Sequence, residues 1–350
     1  MTRSAILLRR ALAILSATAL SLVGCDDSTG PGGVGGDEVA VVLNSIDRSL
    51  TVISVDDTTG AFNVGVSPEG TPVGVAARNE IAVVPLGTYP FAAVVDLEAR
   101  AVAHTVALPA GSGATGAAFI NDSIALVANP DLNSVTPVNV RRGTAGAAIP
   151  VGVYPHEIVA VGGHAYVLNG NLEDFVPAGP GTVTVIDDEL DPVATIQLSG
   201  FNPGSAAFGE DGRLYVLNSG SFGAENGSLS VVDLSSWTEV GHHEGFGDFP
   251  GDVAAAEDRV LVSLYGIGIL EWSPSTSSFV RDLDEPLTPG DIPPVADIGF
   301  DSRGRLFAVN PGGCSEPGAA YRISNAGDVT MEVETGICPF GLAFTVLPAD

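Results

Sequence analysis

The sequence predicts an all-β chain: a seven-bladed β-propeller of four-stranded blades, its ring closed by pairing the C-terminal strand with the N-terminal blade. Three observations predict it. Short β-branched or aromatic runs are bounded throughout by Gly, Pro, Asn or Asp; one four-run plan recurs at steps of 40–48 residues; and each end of the chain holds the part of a blade that the other lacks.

The chain opens outside that plan. Arg3, Arg9 and Arg10 precede the apolar run Ala11–Val23, which is short for a spanning helix and reads as an export signal over 1–24. The run ends in Leu22-Val23-Gly24-Cys25, which resembles the lipobox of bacterial lipoproteins. That resemblance implies acylation of Cys25 as the mature N-terminus, and two or three acyl chains anchor durably where one does not. Residues 25–37 then form a lipidated tether: DDSTGPGGVGGD (Asp26–Asp37) has one isolated apolar side chain and would span roughly 20 Å as a flexible coil. The expectation is an exported, membrane-anchored lipoprotein of the cell envelope, periplasmic or surface-exposed.

Composition bounds the rest. Residues 25–350 carry eleven Arg, no Lys and 42 acidic residues, a net charge of −31. That field repels nucleic acid and anionic lipid, so no nucleic-acid partner is expected. Without Lys there is neither a Schiff base nor a P-loop. At 45% hydrophobic residues the chain folds instead of remaining an acidic coil.

The repeat fills 38–350. A turn opens each unit at Pro72, Thr115, Pro155, Pro203, Pro250, Pro294 and Pro339, and feeds a first strand of small residues suited to a crowded axis. Strand two ends in Asn at Asn44, Asn129, Asn169, Asn218 and Asn310; Pro85 and Ser263 hold the equivalent places in the other two units. Strand three ends in Asp at Asp56, Asp96, Asp187 and Asp233, a residue that closes the following turn. The clearest unit, Tyr154–Gly200, runs IVAV, HAYVLN, TVTVID, VATIQL. The last anchor has only one strand after it, and the body begins at strand two, so joining the ends completes the seventh blade and removes free sheet edges.

Pieces such as AYVLN…VTVID and LYVLN…LSVVD resemble the YVTN-repeat, YncE-like family of bacterial seven-bladed propellers over essentially all of 38–347. The sequence departs from that pattern at Pro85, at Ser263 and in Ile269–Trp272. The resemblance implies a fold more than a chemistry.

Function is expected on the face where strands two and three connect, because three of those loops are long: Gly170–Gly181, Ser219–Gly227 and Pro311–Gly318. With the anchor turns they gather His156, Glu157, Glu173, Asp174, Phe175, Phe222, Glu225, Asp248, Phe249 and Asp252 as a candidate binding face. Cys314 lies in one such loop and Cys338 precedes Pro339 in the neighbouring blade, so an exported chain should join them as a disulfide.

Other motifs carry less. Gly111–Gly116 matches G-x-G-x-x-G, but strands follow where a dinucleotide site needs a helix. His242 and His243 are adjacent on a strand and point to opposite faces, which disfavours one shared metal. There is no G-x-S-x-G, H-E-x-x-H or C-x-x-C. The favoured expectation is a monomeric, non-catalytic binding module for an envelope protein, glycan or small ligand, without a cofactor. The alternative is a lactonase- or lyase-like propeller enzyme with a divalent metal on the central axis, for which His156, Glu157, Asp252 and Asp297 are the polar candidates; a purely structural spacer would bind nothing.

Overall fold

Small residues at each anchor, a tight hairpin, and two further strands of alternating Val, Leu and Ile make the same four-stranded antiparallel sheet seven times. A computed structural model describes residues 36–291 and 294–348. The predicted signal segment 1–24, Cys25 and the tether up to residue 35 lie outside the described residues. From the axis outward, blade 1 runs Pro339–Leu347, Asp37–Asn44, Ser49–Ser54, Phe62–Gly65. Blade 2 runs Ala76–Arg78, Ile81–Pro85, Phe91–Asp96, Ala101–Ala107. Blade 3 has Ala117–Phe119, Ile124–Asn129 and Ser134–Asn139, with its outer strand broken into Thr144–Ala145 and Ile149–Pro150. Blade 4 runs Pro155–Val161, His164–Asn169, Pro180–Ile186, Pro192–Phe201, and blade 5 Pro203–Phe208, Arg213–Asn218, Ser228–Asp233, Thr238–Glu244. Blade 6 runs Val253–Ala256, Arg259–Leu264, Gly268–Ser273, Ser278–Arg281, and blade 7 Asp297–Phe300, Leu306–Asn310, Pro317–Ile323, Val329–Ile337. The departures at Pro85, Ser263 and Ile269–Trp272 therefore sit inside ordinary blades.

The core is divided as the ring requires. Among the described residues there are seven apolar layers, one between each pair of successive blades; Val41, Leu43 and Val52 of blade 1, for example, pack on Val84, Ala93 and Val95 of blade 2. Both faces of every sheet are thus covered, which explains strands apolar on both sides.

Four of the strand-two asparagines, Asn44, Asn129, Asn169 and Asn218, are buried, and their role is wider than closing a turn. Asn44 Nδ2 donates to Ser49 Oγ and Thr51 Oγ1 of strand three at 3.0 and 2.9 Å, and Asn129 does the same to Ser134 and Thr136. Each amide staples two central strands at the end where the chain leaves the sheet. At the ends of strand three, Asp96, Asp187 and Asp233 accept backbone N–H groups of the following turn, as expected. Asp56 does not: it pairs with Arg303 and Arg305 of blade 7, across the seam of the ring.

That seam is closed twice more. Asp37–Asn44 pairs antiparallel with Pro339–Leu347, from Asp37↔Leu347 to Asn44↔Pro339. Cys314, in the strand two to three loop of blade 7, forms a disulfide with Cys338, which leads into the innermost strand of blade 1; 24 residues separate them. Closing a loop of that length is worth roughly 3 kcal/mol by the chain-entropy relation. Reduction is expected to lower the melting temperature by about 4–5 °C, read by calorimetry with and without a phosphine reductant; an unchanged melt overturns it.

Candidate functional site: the loop face and the axis beneath it

Because the strands alternate in direction, the strand two to three loops and the turns entering strand one share one face, here the loop face. Among the described residues the exposed aromatic side chains are Phe175, Phe201, Phe222, Phe249, Tyr265 and Phe340, and every one belongs to a loop or strand end on it. Of the eleven arginines beyond residue 37, only Arg48 lies at that face; Arg281 stands opposite Glu271 in mid-blade and pairs with it, and the others sit at or near the hairpins opposite.

Blades 4, 5 and 6 build a pocket of about 460 Å³ there. The loop after His164–Asn169 folds into a hairpin of its own, Leu172–Glu173 against Val176–Pro177, turning on Asp174 and Phe175 with positive φ of 48° and 63°. That turn thrusts Phe175 outward, 79% exposed, with its ring edge-on to Tyr154 at 6.1 Å. From the next blades Phe222 (85% exposed) and Phe249 (45%) meet edge-to-face at 5.9 Å. Asp248 Oδ1 fixes this pair by accepting the Gly223 N–H at 2.7 Å. Tyr154, His156, Val176, Asn202, Ser219 and Pro250 complete much of the lining.

His156 forms part of the wall of the pocket. Burial pulls its pKa below the ordinary 6.5, opposed by a hydrogen bond to the Gly204 backbone that favours the protonated ring. Nδ1 is buried with no partner, so Nε2 is the nitrogen that meets Gly204. A proton on Nε2 leaves Nδ1 a lone pair without a donor.

One residue further along each first strand, the side chains turn to the axis. Here the structure brings together Glu157, Asp252 and Asp297 from blades 4, 6 and 7. Asp252 accepts from Ser205 Oγ at 2.5 Å and from the Ile298 N–H at 3.1 Å, and Asp297 hydrogen-bonds to it. Glu157 Oε1 accepts its neighbouring Ile158 N–H at 2.9 Å. Enclosure raises Glu157 from 4.5 to about 8, the Asp252 charge adding to it, and raises Asp297 well above its ordinary value by burial, by Asp252 and by Glu157. Beneath them an axial channel of about 520 Å³ is lined by strand one of all seven blades. Crowding demands small residues at its entrance: a Cβ at Gly116 would fall 2.7 Å from the His156 carbonyl oxygen.

The ten residues expected at one mouth thus divide. His156, Phe175, Phe222 and Phe249 line the pocket; Glu173, Asp174 and Glu225 are exposed around it; Asp248 is a latch; Glu157 and Asp252 belong to the axis with Asp297. Tyr154, Val176 and Asn202 on the pocket wall, and Ser205 beside Asp252 at the axis, escaped the sequence reading, since nothing in their local pattern separates a site residue from an ordinary turn. Gly111–Gly116 is indeed a turn between blades, its Gly116 N–H donating to the His156 carbonyl at 3.0 Å. His243 packs on Trp272, while His242 faces Glu239 and Ser230.

No family model matches the chain, and no curated protein sequence matches it. Solved structures do. One described as Kuenenia stuttgartiensis hydrazine synthase aligns at a TM-score of 0.63 and 15% identity, over 79% of this chain and 90% of that one. U3-55K aligns at 0.59 and 15% identity, over 79% and 89%. A protein of unknown function from Bacteroides caccae aligns at 0.52 and 11% identity, over 88% and 98%. At these identities the likeness shows the fold alone: the class is the seven-bladed β-propeller.

Proposed function

We propose that this chain is a lipid-anchored envelope propeller of the YVTN-repeat type that holds a partner through its loop face. One observation carries the reading: three exposed phenylalanines from three blades converge on one pocket, an arrangement whose free-state cost is repaid only by covering it. Topology supports it. Asp37–Asn44 begins, and Pro339–Leu347 ends, on the face opposite the loops. A tether acylated at Cys25 and entering at Asp37 would hold that face toward the membrane and leave the aromatic face free.

A metal on the axis is the weaker reading. The oxygens of Asp252 already accept from Ser205 and Ile298, Glu157 Oε1 is bonded to its own strand, and enclosure favours protonated acids at two positions. Among the described residues no three His, Cys, Asp or Glu side chains group as a metal-ligand set.

The test is affinity capture from detergent-solubilised envelopes with the full chain and with F175A/F222A/F249A. All three rings are exposed, so each substitution should move stability by about 0.5 kcal/mol or less. The wild type is expected to retain a defined partner that the triple variant loses at an unchanged melting temperature; equal capture by both overturns the reading.

A further inference from the structure

The pocket of the loop face is aromatic on its walls, polar in part of its lining, and uncharged. Tyr154 and Phe175 stand on the blade 4 side, Phe222 and Phe249 on the side of blades 5 and 6, and no Asp, Glu or Arg lies in the lining between them. Three lining residues carry polar groups without a partner among the described residues: the Tyr154 hydroxyl, Asn202 Oδ1 and Ser221 Oγ. Unlike His156 Nδ1, none of these three atoms is sealed; each keeps accessible surface. Aromatic faces beside free hydroxyl and amide groups suit a molecule that is apolar on its faces and hydroxylated at its rim. The second observation is independent of the cavity. In blades 1, 4, 5 and 6 the residue before the anchor proline lies in the left-handed region: Cys338, Tyr154, Asn202 and Phe249, at φ of 60°, 55°, 53° and 51°. Asn tolerates that conformation, whereas a bulky aromatic residue disfavours it, so turn chemistry selects neither Tyr154 nor Phe249. Cys338 holds its place through the disulfide. The rings of Tyr154 and Phe249 meet only Phe175 and Phe222 among the described aromatic rings, and both of those are exposed. Side chains kept at a strained position without a task in the fold point to a task in binding. At about 460 Å³ the pocket has the size of a small-molecule site, not of a protein footprint.

We propose that the pocket between Phe175, Phe222 and Phe249 takes a neutral carbohydrate, a pyranose ring of β-gluco configuration held between the aromatic walls with its hydroxyl rim directed to Tyr154, Asn202 and Ser221. This rests on the binding reading above and names the ligand class for that same site. In that configuration every ring substituent is equatorial, so both faces of the sugar offer C–H groups to the rings and its hydroxyls project from the edge. An axial hydroxyl makes one face polar and forfeits one wall. A charged ligand of either sign finds no counter-charge in the lining. The carboxylates of Asp174, Glu225 and Asp248, outside the lining, repel an anion further.

The probe is methyl β-D-glucopyranoside, titrated by ligand-observed NMR into the full chain in a sugar-free neutral detergent at pH 7. Its counterparts are methyl β-D-galactopyranoside, which has one axial hydroxyl, methyl β-D-glucuronide, which is anionic, and 2-phenylethanol, which has an apolar frame without the hydroxyl rim. The glucoside is expected to saturate one site with a Kd on the order of 1 mM, about fivefold or more tighter than the galactoside, with no binding of the glucuronide. F222A and F249A should each weaken it by about tenfold, and Y154F and S221A by about threefold, all at an unchanged melting temperature. Binding of 2-phenylethanol as tight as that of the glucoside overturns the carbohydrate assignment, and equal affinity for glucoside and galactoside overturns the placement between two walls. Absence of saturable glucoside binding, or binding indifferent to F222A and F249A, overturns the proposal. Partner capture that the triple variant loses while no sugar binds leaves the broader reading standing, whereas equal capture by both chains overturns that reading and not the sugar site.

Discussion

The melting temperature of the full chain is expected to be highest near pH 5 and to fall as pH rises toward 8, and E157Q/D297N is expected to abolish most of that fall. The cause is the axial carboxylate group. Folding raises Glu157 from 4.5 to about 8 and moves Asp297 upward too, so the folded state binds those protons more tightly than the unfolded chain does. The stabilisation from a raised acid is complete below its unfolded pKa and is lost as pH climbs through the folded one. For Glu157 the window is about 4.5 to about 8, with a slope of at most about 1.4 kcal/mol per pH unit for one proton. The total is on the order of a few kcal/mol, trimmed by whatever water the channel admits. Below that window the surface acts in the opposite sense. Asp56, Asp57, Asp233 and Asp258 are held below 3.8, first of all by side-chain hydrogen bonds from Arg305, Thr59, Ser235 and Ser275 respectively, so their contribution is present above 3.8 and fades as pH falls. The amide substitutions keep the hydrogen-bonding shape but cannot ionise, so the variant should match the wild type near pH 5 and exceed it at pH 8. Scanning calorimetry from pH 4 to 9 decides this. A flat wild-type profile between 5 and 8, or a variant that follows the wild type throughout, overturns it.

Ending the chain at Cys338 is expected to abolish folding outright. The lost segment Pro339–Leu347 is the innermost strand of blade 1, paired along Asp37–Asn44. Its Leu342 and Phe344 pack into the layer between blades 7 and 1, with Phe344 edge-on to Phe307 at 5.4 Å. Removal would bare that layer, open the axial channel on one side and leave Asp37–Asn44 as an unpaired, apolar edge. The combined loss exceeds the about 5–15 kcal/mol that ordinarily separates folded from unfolded chains. Circular dichroism and size-exclusion chromatography of the truncated chain should show aggregation or an expanded coil. A soluble product melting cooperatively within a few degrees of the wild type would show that the ring does not need its closing strand.

How much of this was legible beforehand depended on how local the signal is. The anchors, the strand-two asparagines and the half blades at each end are written as spacing, and spacing survives without coordinates. Cys314 and Cys338 could be paired because the repeat register assigns both to one face of neighbouring blades. Phe175 and Phe222 were found through loop length, since long loops on a rigid scaffold are rare enough to mark a site. Asp56 shows the limit: its pattern matches Asp96 and Asp233, yet its partners are Arg303 and Arg305, about 250 residues away and adjacent only because the ring closes.

The sequence by itself determined the number of blades, the strand plan within each, the closure of the ring and the face that carries the long loops. These follow from hydrophobic period and turn chemistry, which act over a few residues and repeat. Tertiary structure alone decided which neighbours share a space: that His156 and Glu157, adjacent in the chain, serve a pocket and an axis respectively, and that Glu157, Asp252 and Asp297 meet across three blades. Strand pleat sends successive side chains to opposite sides, and only ring closure brings first strands from distant parts of the chain within reach of one another.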